Sequence, residues 1–228
     1  MFTLLSVATL SIATSGLRGE DWREFRGPTG QGVTTSQQLP LTWSQTEHVT
    51  WKQPIDGVAW SSPVVSEGVI YLTSAIEEPA GHFALVTMAR SFETGAELWR
   101  TPLFEHDAKV EIHQKNSHAS PTPIVAGDRI YVHFGPHGSA CLSTAGKVLW
   151  KQTLPYRPQH GNGGSPALFQ DRLIYCCDGT DVQYVTALDA TTGKELWKTP
   201  RDTKPDRGFS FSTPLLIEVN GTWQAICP

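Results

Sequence analysis

The sequence predicts an all-β protein, a β-propeller of four-stranded antiparallel blades, and three observations predict it. A pattern of Ala, Gly six positions on and Trp four further on occurs three times, at Ala89/Gly95/Trp99, Ala140/Gly146/Trp150 and Ala187/Gly193/Trp197. In phase with it, a small residue and Pro open an apolar run four times, at Ser62-Pro63, Thr122-Pro123, Ser165-Pro166 and Thr213-Pro214. Finally, Trp51, Trp99, Trp150 and Trp197 follow one another at intervals of 48, 51 and 47 residues. A period of that size is the mark of a supersecondary unit repeated about an axis.

Taken in order along the chain, an apolar run from Met1 to Ala13 is followed by the small residues Thr14, Ser15 and Gly16. It is too short to span a bilayer and suits the core of a secretory signal, so residues 1–19 are expected to be a signal peptide, although no Lys or Arg precedes the run. Residues 20–48 form an N-terminal extended segment, and residues 49–228 a partial propeller. Each unit opens with a β-rich run such as Val64-Val65, turns at a Gly or Asp, and returns through a second run such as Val69-Ile70-Tyr71-Leu72 or Arg129-Ile130-Tyr131-Val132. Such runs bounded by turn formers read as strands. A third strand carries the Ala, a tight turn the Gly, and a fourth strand the Trp. Glycine suits the positive φ of a tight hairpin. The indole is apolar surface that a lone blade could not bury, and the small Ala leaves room for a neighbour's ring. Trp51 lacks its Ala and Gly, which is explained if its strand belongs to the final blade and locks the ring.

On these residues the chain resembles the pyrroloquinoline-quinone-like (PQQ-like) β-propeller repeat proteins, whose blades carry the signature Ala-x-Asp-x-x-Thr-Gly-x-x-x-Trp. The copy from Ala187 through Asp189 to Trp197 matches in full; Ser91 replaces the Asp in the first copy, and Leu142 and Ala145 depart from it in the second. The resemblance covers roughly residues 49 to 227. It implies a family that includes quinoprotein dehydrogenases and also non-enzymatic relatives, notably the propeller lipoprotein of the outer-membrane β-barrel assembly machine. The opening Asp21-Trp22-Arg23-Glu24-Phe25-Arg26-Gly27-Pro28 and Leu41-Thr42-Trp43-Ser44 look like those of secreted bacterial members. An eight-bladed ring of about 48 residues per blade needs roughly 380 residues. With 228 residues and a fourth unit reaching only Ile226-Cys227-Pro228, the chain is expected to be the N-terminal half of such a ring, a four-bladed ring being the alternative.

Composition agrees with an extracytoplasmic β protein, periplasmic or secreted. There are 18 basic against 22 acidic residues with no basic run, so neither nucleic acid nor an anionic membrane surface is an expected partner. No membrane span is expected, and with Cys141 the first cysteine, no lipid anchor. Cys176 and Cys177 are adjacent and could close a vicinal disulfide. In a strand, however, one thiol would point to each face, because side chains alternate.

The longest polar loops join each Trp strand to the next unit, and in a propeller they gather on one face. They carry the candidate residues His106, His113, Lys115, Asn116, His118, Arg157, His160 and Arg207. Function is most at home there, since rigid scaffolds present it on loops. His106, His113 and His118 with Asp107 and Glu111 could ligate a metal, but spacings of seven and five have no helix or fixed turn behind them. No catalytic motif is found, so no catalytic residue, metal site or cofactor is assigned. The expected function is a non-catalytic protein- or ligand-binding scaffold with a protein or peptide partner. The alternative is an alcohol or sugar dehydrogenase, for which the resemblance implies PQQ with calcium; a metal-dependent carbohydrate site on the loops is a third reading.

Overall fold

The computed structural model describes residues 20–37, 39–106, 112–202 and 206–228. The leader expected over 1–19, Asp107, Glu111 and the side chain of His106 lie outside the described residues. Within each sheet the strands are joined by short connections, and longer loops lead from one sheet to the next. The first sheet contains β1 (Val64–Ser66), β2 (Val69–Glu77), β3 (Phe83–Ser91) and β4 (Glu97–His106); the second β5 (Ile124–Ala126), β6 (Arg129–His133), β7 (Ser139–Ser143) and β8 (Val148–Gln152). The third contains β9 (Ala167–Phe169), β10 (Arg172–Asp178), β11 (Gln183–Asp189) and β12 (Glu195–Pro200). A hairpin, β13 (Leu215–Val219) and β14 (Thr222–Ile226), opens a fourth unit. Within each sheet the strands are antiparallel and hydrogen-bonded in chain order. The blades predicted from the repeat are therefore observed. No described helix is long and apolar enough to cross a membrane.

Period-two alternation gives each sheet two apolar faces, and the core lies between sheets. Ile130 and Val132 pack with Val64, Leu85 and Leu103 of the first sheet. From the opposite face of the second sheet, Tyr131 and Trp150 pack with Leu173, Tyr175 and Leu188 of the third.

The tryptophans join the sheets in one repeated geometry. Trp99 donates its indole N–H to Thr144 O and Trp150 to Ala190 O, each at 3.0 Å. Each ring lies flat against the next sheet's turn glycine: a Cβ built on Gly146 would stand 2.8 Å from Trp99, and one on Gly193 2.7 Å from Trp150. Both glycines have positive φ, 83° and 72°. Burying one such indole is worth on the order of 4–6 kcal/mol gross. Trp51 does the same to the first sheet, donating to Phe92 O at 3.0 Å and covering Gly95. It thus performs the docking of a preceding blade's tryptophan. Trp197 has no such turn among the described residues and is 39% exposed.

Register explains the imperfect copies. Ala89 and Ala187 stand opposite Trp99 and Trp197, but Ala140 pairs with Lys151, and Cys141 stands opposite Trp150. The second turn is shorter: Gly146 N–H bonds to Ser143 O, three residues back, whereas Gly95 and Gly193 reach four residues back to Ser91 and Asp189. The motif's Asp and Thr are turn chemistry, since Asp189 Oδ1 accepts from Thr191 N–H, Thr192 N–H and the Thr192 hydroxyl. Those bonds, led by the Thr192 hydroxyl, hold the Asp189 carboxyl below the usual range. The second-strand tyrosines of the second and third sheets are also out of step. Ile174, not Tyr175, takes the register of Tyr131, so Tyr175 faces the preceding sheet.

Candidate functional site: an axial cavity on the loop face

The Ser/Thr-Pro pairs turn out to be the joints between units. Ser62 N–H donates to Thr122 Oγ1 at 3.1 Å, Thr122 N–H to Ser165 Oγ at 2.9 Å, and Ser165 N–H to Thr213 Oγ1 at 3.0 Å. Each hydroxyl therefore accepts the backbone N–H of the matching residue one unit earlier, and proline directs the chain into the strand that follows. This relay sets the positions of the loops that enter all four units.

Above the relay lies a cavity of about 490 Å³. Its floor is Ser62, Thr122 and Ser165; its walls carry Phe25, Trp60 and Phe211 with His113, Lys115, Asn116 and His160. Phe25 is brought there by the N-terminal segment. Trp22 exchanges two 2.8 Å backbone hydrogen bonds with Val65 of β1, and Arg23 O accepts from Val125 N–H of β5. The segment so covers otherwise unpaired inner edges of two sheets.

The polar wall is held rigidly. Asn116 Nδ2 donates to His160 O at 2.8 Å and to Asn162 O at 3.3 Å, while its Oδ1 accepts from Ser117 N–H and the Ser120 hydroxyl. Lys115 N–H donates to His113 Nδ1 at 3.1 Å, and the His113 and His160 rings meet edge to face, 5.3 Å between centroids. Lys115, Trp60 and Phe211 line the cavity and are exposed. Among the described lining residues there is no carboxylate. The arrangement suits an anionic or aromatic group held by one ammonium, two imidazoles and three aromatic rings.

Of the eight candidate residues, the structure brings four to this cavity: His113, Lys115, Asn116 and His160. His118 instead stacks on Phe83 at 4.5 Å and contacts His137, Nδ1 to Nε2 3.1 Å. Arg157 is anchored through its backbone to Asp181 Oδ1 and Thr180, and Arg207 lines an open depression shared with His160. No group of three or more His, Cys, Asp or Glu able to hold a metal occurs among the described residues. Phe25, Trp60 and Phe211 escaped sequence reasoning because they lie outside the repeat. The phased Ser/Thr-Pro pairs were a visible signal whose joining role needed coordinates.

Cys176 and Cys177 point to opposite faces of β10, as alternation requires. Cys177 packs with Tyr156 and Tyr184 toward the second sheet, and burial pushes its thiol up to about 12. Cys176 faces the fourth unit, where its thiol hydrogen-bonds that of Cys227.

The family model described as "Outer membrane protein assembly factor BamB" matches residues 32–162 and 83–222. Among curated proteins, tetrathionate hydrolase of Acidithiobacillus ferrooxidans is 27% identical over 164 residues, covering 65% of this chain and 30% of its own length. Quinohemoprotein alcohol dehydrogenase ADH IIB of Pseudomonas putida is 26% identical over 222 residues, covering 93% of this chain and 30% of its own. The chain thus spans about 30% of the length of the curated relatives it matches. Among solved structures, BamB from Moraxella catarrhalis is 16% identical with a TM-score of 0.44, covering 77% of this chain and 46% of that one.

Proposed function

Because the chain belongs to the PQQ-like repeat family described as outer membrane protein assembly factor BamB, we propose that it is an extracytoplasmic, non-catalytic binding platform that captures a peptide segment at its axial cavity. One observation carries this reading: the cavity is preformed, its floor locked by the hydroxyl relay and its polar wall by the Asn116 bonds. A preformed pocket spends little free energy on ordering itself. Trp60 and Phe211 offer low-entropy aromatic contact area, of the kind that dominates protein interfaces. Lys115 favours a segment carrying a carboxylate. An extracytoplasmic location is supported by the family's description as an outer membrane protein assembly factor.

The second reading, a quinone- and calcium-dependent dehydrogenase, is favoured by the likeness to an alcohol dehydrogenase. Calcium takes six to eight oxygen ligands with carboxylates prominent among them. The cavity's described lining has none, and Asn116 Oδ1 already accepts two hydrogen bonds. These residues do not fit a calcium ion.

Selection of a displayed peptide library on the protein separates the two. The expected result is acidic, aromatic-containing peptides whose binding falls at least tenfold in the Trp60→Ala and Lys115→Ala variants. Enrichment indifferent to both variants would overturn the platform reading, as would dye reduction with an alcohol after loading with PQQ and calcium.

A further inference from the structure

The strand register sets two cysteines against each other across the boundary between the third sheet and the fourth unit. In β10, Cys176 follows Ile174 by two residues and shares its face, and Ile174 stands opposite Ala167. In β14, Ile226 stands opposite Leu215, so Cys227 is the next position along. Measured from their Ser/Thr-Pro pairs, Cys176 occupies the place that His133 holds in the second sheet, and Cys227 the place that Tyr175 holds in the third. His133 and Tyr175 are in contact, with ring centroids 5.0 Å apart. The same boundary one unit on is closed by Phe169 against Trp223 at 5.1 Å and by the bond from Ser165 N–H to Thr213 Oγ1. At the corresponding places the two cysteine side chains meet, the Cys176 thiol hydrogen-bonding that of Cys227.

We infer that Cys176 and Cys227 form a disulfide that clasps the fourth unit to the third sheet. The inference is independent of what the axial cavity binds. The Cys176 thiol donates its hydrogen bond to Cys227, which lowers Cys227 and raises Cys176, and Arg201 nearby favours the thiolate further. Cys227 is therefore the nucleophile. Its thiolate attacks a disulfide oxidant, forming a mixed disulfide and releasing one thiolate of the oxidant. Cys176 then loses its proton to water and attacks the Cys227 sulfur, expelling the second thiolate. Two cysteine thiols lose two electrons and two protons, and one oxidant disulfide becomes two thiols. Cys177 takes no part, because its side chain is on the other face among Tyr156 and Tyr184.

The test is oxidation of the full chain with glutathione disulfide, blocking of residual thiols, and tryptic mapping without reduction. The expected product links peptide 173–194 to peptide 208–228 and is two hydrogen atoms lighter than the pair. The link persists in Cys177→Ser and is lost in Cys176→Ser. Closing the loop raises the melting temperature, by a shift on the order of 5–10 °C that reductant abolishes. A vicinal Cys176–Cys177 bond, a Cys177–Cys227 bond, or alkylation of both Cys176 and Cys227 after oxidation would overturn the inference. Fragmentation of the linked peptide from the unsubstituted chain between Cys176 and Cys177 decides even where a variant fails to fold.

Discussion

His133 sits wholly inside the protein, its Nδ1 2.7 Å from the Ser139 hydroxyl and its ring against Tyr175. Desolvation lowers it from 6.5 to about 3, so it is neutral in the folded chain where the unfolded chain takes up a proton. A base depressed on folding leaves stability intact above its unfolded value and erodes it as pH falls below. Between pH 7 and 5 the loss is about 2 kcal/mol. Urea midpoints across that range are expected to fall in the parent chain and to stay nearly level, for this contribution, in His133→Gln. At the same scale, two glycines separate backbone strain from docking. Gly127→Ala, with φ 58° and open space around it, should cost only the left-handed penalty of about 1–2 kcal/mol. Gly193→Ala should cost distinctly more by chemical denaturation, because its Cβ would enter the Trp150 ring.

At the scale of elements, the Ser/Thr-Pro joints hold loops of successive units in place. Thr122 is buried, its hydroxyl receiving the Ser62 N–H and its own N–H bound by Ser165. Thr122→Ala leaves a donor without its partner, at about 1–3 kcal/mol, whereas Thr122→Ser should restore most of the loss. Because the same joint floors the cavity, peptide binding should weaken in Thr122→Ala and recover in Thr122→Ser. Register shows how far the sequence could be read here. Strands, turns and their order follow from β-rich runs, glycines and prolines, whose physics is local. The offset of Cys141 does not, since a turn shorter by one residue changes the pairing without changing the composition of the run, whereas Tyr175 faces the other way because it lies one residue further along its strand than Tyr131, behind a turn of the same length.

For the whole molecule, the tryptophans measure how sheets depend on one another. Trp150 is 9% exposed and seated on the third sheet's turn, while Trp197 is 39% exposed in this chain. Trp150→Ala is expected to cost about 3–5 kcal/mol and Trp197→Ala less than half of that, read from denaturant midpoints of the 228-residue chain. The same comparison checks whether radial stacking, not the separate hairpins, holds the fold.

By itself the sequence determined the blade, its period and the indole that joins one blade to the next, because strand alternation, tight turns and the need to bury a large apolar ring act over a few residues and recur. Only the tertiary structure decided that Phe25, Trp60 and Phe211 wall one cavity with His113, Lys115, Asn116 and His160, that His118 belongs elsewhere, and that Cys176 meets Cys227 rather than its neighbour. Those pairings join residues far apart in the chain, and their positions depend on how each sheet is rotated against the next, a quantity no local pattern encodes.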